Sequence, residues 1–217
     1  MVITSIFFKV PTPGRVKTRL AQGIGADHAA ALARVFFLDT LSAVSKAPGL
    51  KPVVATTGQL PAALRAQIDC PIWQQGDGLL GERLERVLRR ALEESHCAIA
   101  LGADSPGLGP TQLSGLITQL DRHDAVMGPT EDGGYYALGL NRCPVGLLDT
   151  ITWSSPETRT QTINRLNGHG LTCGLAPSFF DIDHPSDLNR LMIALDAGEL
   201  EAPHTYRWLR ENHLGRE

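Results

Sequence analysis

The chain has 217 residues, 20 Lys and Arg against 23 Asp and Glu, a net charge of −3 and 42% hydrophobic residues. That length and balance fit one α/β domain, residues 1–217, and give no support to a nucleic-acid binder. The four cysteines (Cys70, Cys97, Cys143, Cys173) form no C-x-x-C pair, so they read as reduced thiols of a cytoplasmic protein, not as a disulfide frame or zinc site.

Val2 to Phe8 is apolar and rich in β-branched residues, which predicts a first buried strand too short to span a membrane. No basic segment followed by an apolar run marks a secretory signal. Lys9 to Gly25 reads as a loop. Asp27 to Lys46 places Ala29, Leu32, Ala33, Phe36, Phe37, Leu41 and Val44 at helical spacing, and Pro48-Gly49 stop that helix. A strand over Pro52 to Thr56, a helix over Pro61 to Ile68 and a strand at Pro71-Ile72-Trp73 follow. The glycine-rich loop Gln74 to Gly81 opens a helix with the apolar stripe Leu84, Val87, Leu88, Ala91 and Leu92. Cys97 to Leu101 predicts a buried strand and Thr111 to Leu120 a helix. Asp124 to Met127 and Gly133 to Leu140 read as strands. Pro156 to Asn167 is a helix, Leu171 to Leu175 a late strand, and Pro185 to Ala197 and Pro203 to His213 are the last helices. This alternation predicts a mostly parallel sheet with helices on both faces, made mixed by the irregular stretch 129–155.

Chemistry gathers in four stretches. The first, Lys9 to Leu20, puts Lys9, Arg15, Lys17 and Arg19 after the first strand, with Pro13-Gly14 shaping the backbone. Arginine gives bidentate and lysine point-charge contacts to a di- or triphosphate, whereas a solvated basic loop is the plainer alternative. The spacing is not that of a Walker loop. In the second, the glycines Gly76, Gly78 and Gly81 admit a flat base to the backbone, Gln75 offers an amide to its edge, and Arg83 follows; a flexible surface loop has the same composition.

Asp104 ends the central strand, between residues too small to block access, and Pro106-Gly107 turn the chain away. Ligands of open α/β sheets bind beyond the carboxyl ends of strands, and a hard divalent cation on substrate phosphates suits such an acid. A helix cap or turn is the alternative. In the stretch Gly128 to Gly139, Glu131 and Asp132 precede Gly133, Gly134 and Tyr135, a composition that suits a hydroxyl-rich acceptor or an ordinary Asp-Gly hairpin. Alternation then sets Asp181 and Asp183 on one face of an extended segment, where two carboxylates favour a cation between them.

Four segments together, Phe8 to Leu20, Gly102 to Pro106, Gly128 to Tyr135 and Asp181 to Leu188, resemble the bacterial glycosyltransferase-like proteins related to phospholactate guanylyltransferase. These belong to the nucleotide-diphospho-sugar transferase superfamily with the GT-A fold. The resemblance runs from about residue 3 to 192. It implies a Rossmann-like GT-A domain. It implies that Asp104, with Asp181 and Asp183, holds Mg²⁺ or Mn²⁺, and that the first loop and the Gln75-Gly76 loop hold a nucleotide. Asp104 stands in Ala-Asp-Ser rather than a full D-x-D, and His184 stands where similar proteins carry threonine.

The function expected is transfer of a sugar from a nucleotide diphospho-sugar to a small acceptor. Lys17 and the metal would neutralise the leaving diphosphate, and Glu131 or Asp132 would orient or deprotonate the acceptor hydroxyl. The alternatives are a nucleotidyltransferase joining an NMP from an NTP to a phosphorylated small molecule, and a catalytically silent nucleotide-binding protein. Oligomeric state is not legible in the sequence.

Overall fold

The computed structural model describes residues 1–215. Its strands are β1 (Val2–Phe8), β2 (Leu50–Thr56), β3 (Ile72–Gln74), β4 (Ala98–Gly102), β5 (Ala125–Pro129), β6 (Tyr135–Leu140) and β7 (Cys173–Leu175). They form one sheet in the order β3-β2-β1-β4-β6-β5-β7. β1 pairs in parallel with β2 and β4, β2 with β3, and β5 with β7; β6 is antiparallel to both β4 and β5. The mostly parallel, mixed sheet read from the sequence is the one observed.

Among the described residues the helices are α1 (Thr18–Ile24), α2 (Ala26–Lys46), α3 (Ala62–Arg65), α4 (Leu80–Glu94), α5 (Pro110–Leu120), α6 (Thr158–Gly168), α7 (Pro185–Asp196) and α8 (Pro203–Glu211). Side-chain alternation along β1 assigns them to faces. Ile6 and Phe8 pack with Phe37, Leu41, Leu64 and Leu116 of α2, α3 and α5. Ile3 and Phe7 face α4 and α6 through Leu84, Leu88 and Leu166. A third cluster, with Leu20, Phe36, Leu191 and Leu209, ties α1, α2, α7 and α8 together beside the sheet. There the buried carboxylate of Asp39 accepts the first N–H groups of α8, from His204 at 3.0 Å and Thr205 at 2.8 Å.

Two elements depart from expectation. The loop expected over Lys9 to Gly25 contains α1, because Leu20 is fully buried against α2 and α7 and needs a helical turn to point there. The helix expected over Pro61 to Ile68 shortens to α3, closed when the Arg65 side chain donates to the Ile68 carbonyl at 2.8 Å.

The stretch between β6 and α6 is irregular but anchored. Glu85 of α4 is buried and accepts N–H groups from Gly146 at 3.0 Å and Leu148 at 2.6 Å. Bare Gly81 lets α4 approach this stretch, since a Cβ there would lie 2.6 Å from the Leu148 carbonyl oxygen. These contacts fix one wall of the cavity described below.

Candidate active site

From β1 the chain builds outward through β2 to β3, and on the opposite side of β1 lies β4. The order of strands thus reverses between the paired neighbours β1 and β4, and open α/β sheets bind ligands beyond the carboxyl ends of the strands at such a point. A cavity of about 690 Å³ opens at this point. Its charged lining comprises Lys17, Arg19, Asp104, Asp132, Asp181 and Asp183. Residues 166 apart in sequence converge because α1 starts where the first loop ends and the Asp181–Asp183 segment crosses the end of β4. The Ile182 N–H donates to the Asp104 carbonyl at 3.2 Å.

Lys17 stands at the centre. It adopts a left-handed backbone conformation, φ 46° and ψ 46°, as it enters α1. Its side chain is only 5% exposed, and its ammonium lies 3.1 Å from Asp104 and 2.9 Å from Asp183. Burial works against its charge, but Asp104 and Asp183 outweigh that and raise its pKa. Burial likewise opposes the charge on Asp183; the Lys17 ion pair and hydrogen bond prevail and hold its carboxyl below the usual range. Arg19 approaches Asp183 from solvent at 3.8 Å.

Asp181 differs from its neighbours. Burial, reinforced by the Asp104 and Asp183 charges, lifts its pKa to about 6, against the hydrogen bond that it accepts from the Ser105 hydroxyl. The three acids expected to share a metal thus line one cavity, with Lys17 bridging two of them. Among the described residues no three His, Cys, Asp or Glu side chains are grouped closely enough to hold a metal by themselves. Two hard carboxylates with substrate phosphates are the usual Mg²⁺ environment, and Asp104 and Asp183 offer that donor set.

Of the expected acceptor residues, Asp132, Gly134 and Tyr135 line the cavity. Asp132 closes its own turn, accepting from Thr130 Oγ1 at 2.6 Å and Gly134 N at 2.9 Å. Gly133 has φ +89°, and a Cβ there would fall 2.2 Å from the Pro156 carbonyl oxygen. Glu131 is not in the cavity lining. Arg190 of α7 grips it with two hydrogen bonds, at 2.6 and 2.8 Å, which hold its carboxyl below the usual range.

Apart from Lys17 and Arg19, the expected nucleotide residues lie outside the cavity lining. Lys9 turns away from the cavity and donates to the Arg15 carbonyl at 2.7 Å, so this cation staples its own loop. Pro13 and Gly14 shape the exposed turn, with Gly14 at φ +74°, and neither lines the cavity. Gln75 is buried, and its amide is committed internally: Nε2 donates to the Ala55 carbonyl at 2.8 Å, and Oε1 accepts from Arg83 at 3.1 Å. The amide expected to face a base is thus bonded within the protein. Gly76, at φ +77°, leaves room for the Arg86 guanidinium, which holds the Gln75 carbonyl at 2.5 Å. Gly81 serves helix packing, as described above.

The sequence reading missed much of the remaining lining: Phe7, Leu80, Leu84, Ala100 and Leu138, together with the segment 153–156. Trp153-Ser-Ser-Pro156 carried a signal, a tryptophan in a polar, helix-breaking stretch just ahead of a helix.

Fold and site together define the class: an enzyme of the nucleotide-diphospho-sugar transferase fold. The bacterial family described as "Uncharacterized protein conserved in bacteria (DUF2064)" matches residues 40–155, and the chain belongs to that family. A protein from Desulfovibrio desulfuricans G20 described as a "putative nucleotide-diphospho-sugar transferase" is 28% identical, with a TM-score of 0.86 over 98% of this chain and 96% of that one. Two further structures share the fold at lower identity. One is a cytidylyltransferase from Leptospira borgpetersenii serovar Hardjo-bovis, 13% identical with a TM-score of 0.58 over 98% and 95% of the two chains. The other is CMP:2-keto-3-deoxy-manno-octonic acid synthetase complexed with CTP, 15% identical with a TM-score of 0.56 over 92% of this chain and 99% of that one. No curated protein sequence matches the chain. No helix among the described residues is long and apolar enough to cross a membrane.

Proposed function

We propose that the protein is a metal-dependent glycosyltransferase, using a nucleotide diphospho-sugar donor and a small hydroxyl-bearing acceptor. One observation carries the reading: four carboxylates, Asp104, Asp132, Asp181 and Asp183, line the cavity against two cations, Lys17 and Arg19. Such a lining repels a diphosphate unless a further cation arrives with it. Asp104 and Asp183 would hold Mg²⁺ or Mn²⁺ together with the donor's phosphates. When bound, the ion supplies charge neutralisation on the leaving diphosphate. Lys17, released from its two acids, and Arg19 bind the same diphosphate. Asp132, oriented by Thr130 and Gly134, accepts the acceptor's proton as its oxygen bonds to the anomeric carbon. The carbon–oxygen bond to the diphosphate breaks, and its electron pair leaves with the nucleotide.

A second reading, nucleotidyl transfer to a phosphorylated acceptor, gains from one observation. Glu131 is neutralised by Arg190 and lies outside the cavity lining, so an anionic second substrate meets only Asp132 on that side. A product assay decides between them. With an NDP-sugar, an acceptor and Mn²⁺ the enzyme is expected to release NDP, and chelation stops the release. Pyrophosphate release from an NTP with a phosphorylated acid establishes the second reading. Turnover undiminished by chelator overturns the metal assignment.

A further inference from the structure

Half of the cavity has no phosphate-binding character. Phe7 of β1, Ala100 of β4 and Leu138 of β6 make its floor, with Ala100 and Leu138 opposite each other across the ladder. Leu80 and Leu84, at the start of α4, form one wall and Trp153 the other. The hollow exists because β4 presents Ala100 and Gly102 on this face, where larger strand residues would fill it.

The Trp153 wall is rigidly built. Thr150 and Ser154, neither of them glycine, take φ values of 64° and 57°. Such a conformation persists only where the surroundings impose it, and it concentrates at ligand sites. Here Gln161 accepts the Thr152 N–H at 2.7 Å, and the Thr158 hydroxyl lies 2.9 Å from the Thr152 carbonyl and 2.7 Å from that of Ser155. Trp153 packs edge-on to Tyr135, with ring centroids 6.3 Å apart. The Tyr135 hydroxyl is already a partner of Thr162, at 3.5 Å. Over the floor of Phe7, Ala100 and Leu138 a polyol would leave hydroxyls unpaired, at a cost that disfavours it against an apolar body.

We propose that the hollow binds the apolar body of the second substrate: an alcohol with an aliphatic or aromatic body, whose hydroxyl stays at the Asp132 mouth. The placement of that hydroxyl rests on the transferase reading; the hollow itself is testable without turnover. Calorimetry with 1-alkanols from butanol to octanol, with glycerol as the polyol control, reads it directly. Affinity is expected to rise about three- to fourfold per methylene until the hollow is full. Glycerol should show no measurable binding. Ala100→Leu, which fills the floor, should abolish the gain for the longer members. Trp153→Ala, which alters no strand residue, should weaken every member that binds.

A flat chain-length series in the unaltered protein, or a slope that neither substitution changes, overturns the proposal. Turnover with NDP-sugars is scored separately. Alkanols that bind with the expected slope while no NDP-sugar turns over would sink the donor reading and leave the hollow standing. NDP release with glycerol and no alkanol slope would do the reverse.

Discussion

Lys17 occupies the space between Asp104 and Asp183 that the proposed divalent ion would enter, so on that proposal lysine and metal would compete for the same two carboxylates. Removing the lysine should therefore favour the ion. Mn²⁺ is expected to raise the melting temperature of Lys17→Ala more than that of the unaltered protein, because a ligand of the native state stabilises it in proportion to its occupancy. An equal or smaller rise would disprove the competition. The same variant should lose affinity for a nucleoside diphosphate and keep it for the nucleoside. Asp181 makes a different argument. Its pKa in the fold is about 6 because it is buried beside other acids. An unfolded aspartate titrates near about 3.9. The folded state thus holds the extra proton between those values. The contribution of this group to stability is fully present below the unfolded value and is lost as pH rises to about 6. Asp181→Asn still offers an oxygen to Ser105 without the charge. The melting temperature of this variant, relative to the unaltered protein, should climb from pH 4 to pH 6 and level off above. A constant difference across that window would show that the charge carries no such cost. A carboxylate retained at a cost to stability at neutral pH is the behaviour expected of a functional group.

The elements that hold these residues differ in how far local sequence announced them. Strand ends were legible because apolar runs stop abruptly, and Asp104 falls at such a stop, beyond β4. Alternation along an extended segment set Asp181 and Asp183 on one face, and the family resemblance, not the spacing, implied that they join Asp104. Pairings between distant residues left no local trace. Nothing near Glu131 announces that Arg190 of α7 will take it, and nothing near Gln75 shows that Arg83 and the Ala55 carbonyl will consume its amide. The rigid segment ahead of α6 was missed for a related reason: its order comes from side-chain acceptors and a close approach to Gly133, not from periodicity. That approach can be tested. A methyl group on Gly133 would meet the Pro156 carbonyl and demand a φ of +89° from alanine. Gly133→Ala is expected to destabilise the protein by about 1–3 kcal/mol. It should also raise amide exchange in residues 152–158, because the wall must retreat. A loss of stability with exchange there unchanged would mean that the strain was absorbed elsewhere.

At the scale of the whole molecule, the cavity joins two halves of the chain. Lys17, Arg19 and Asp104 come from the region built on β1 to β4, while Asp132, Tyr135 and Trp153 come from the region around β6 and the approach to α6. Sequence order predicted this division, since the first basic loop and the Asp132-Gly133-Gly134 stretch lie on opposite sides of β4. It did not predict how uneven the lining is in chemistry: Lys17, Arg19, Asp104, Asp181 and Asp183 supply charge, while Phe7, Leu80, Leu84, Ala100, Leu138 and Trp153, drawn from both halves, supply an apolar hollow. The asymmetry predicts separable responses to ligands. A nucleoside diphosphate with Mn²⁺ engages the charged side alone. At about 100 times its dissociation constant it should stabilise the fold by about 2.7 kcal/mol. For a chain of this length that corresponds to a melting-temperature rise of about 5–10 °C. Amide protection should then be confined to the segments carrying Lys17, Arg19, Asp104 and Asp183. A nucleotide diphospho-sugar places its transferred group toward Asp132, and so should extend protection into residues 130–135. Hydrogen exchange on the two complexes, at matched occupancy, reads the difference. Identical protection patterns would mean that the donor's sugar does not lie between the halves, and the assignment of Asp132 as the group facing the acceptor would fall with it.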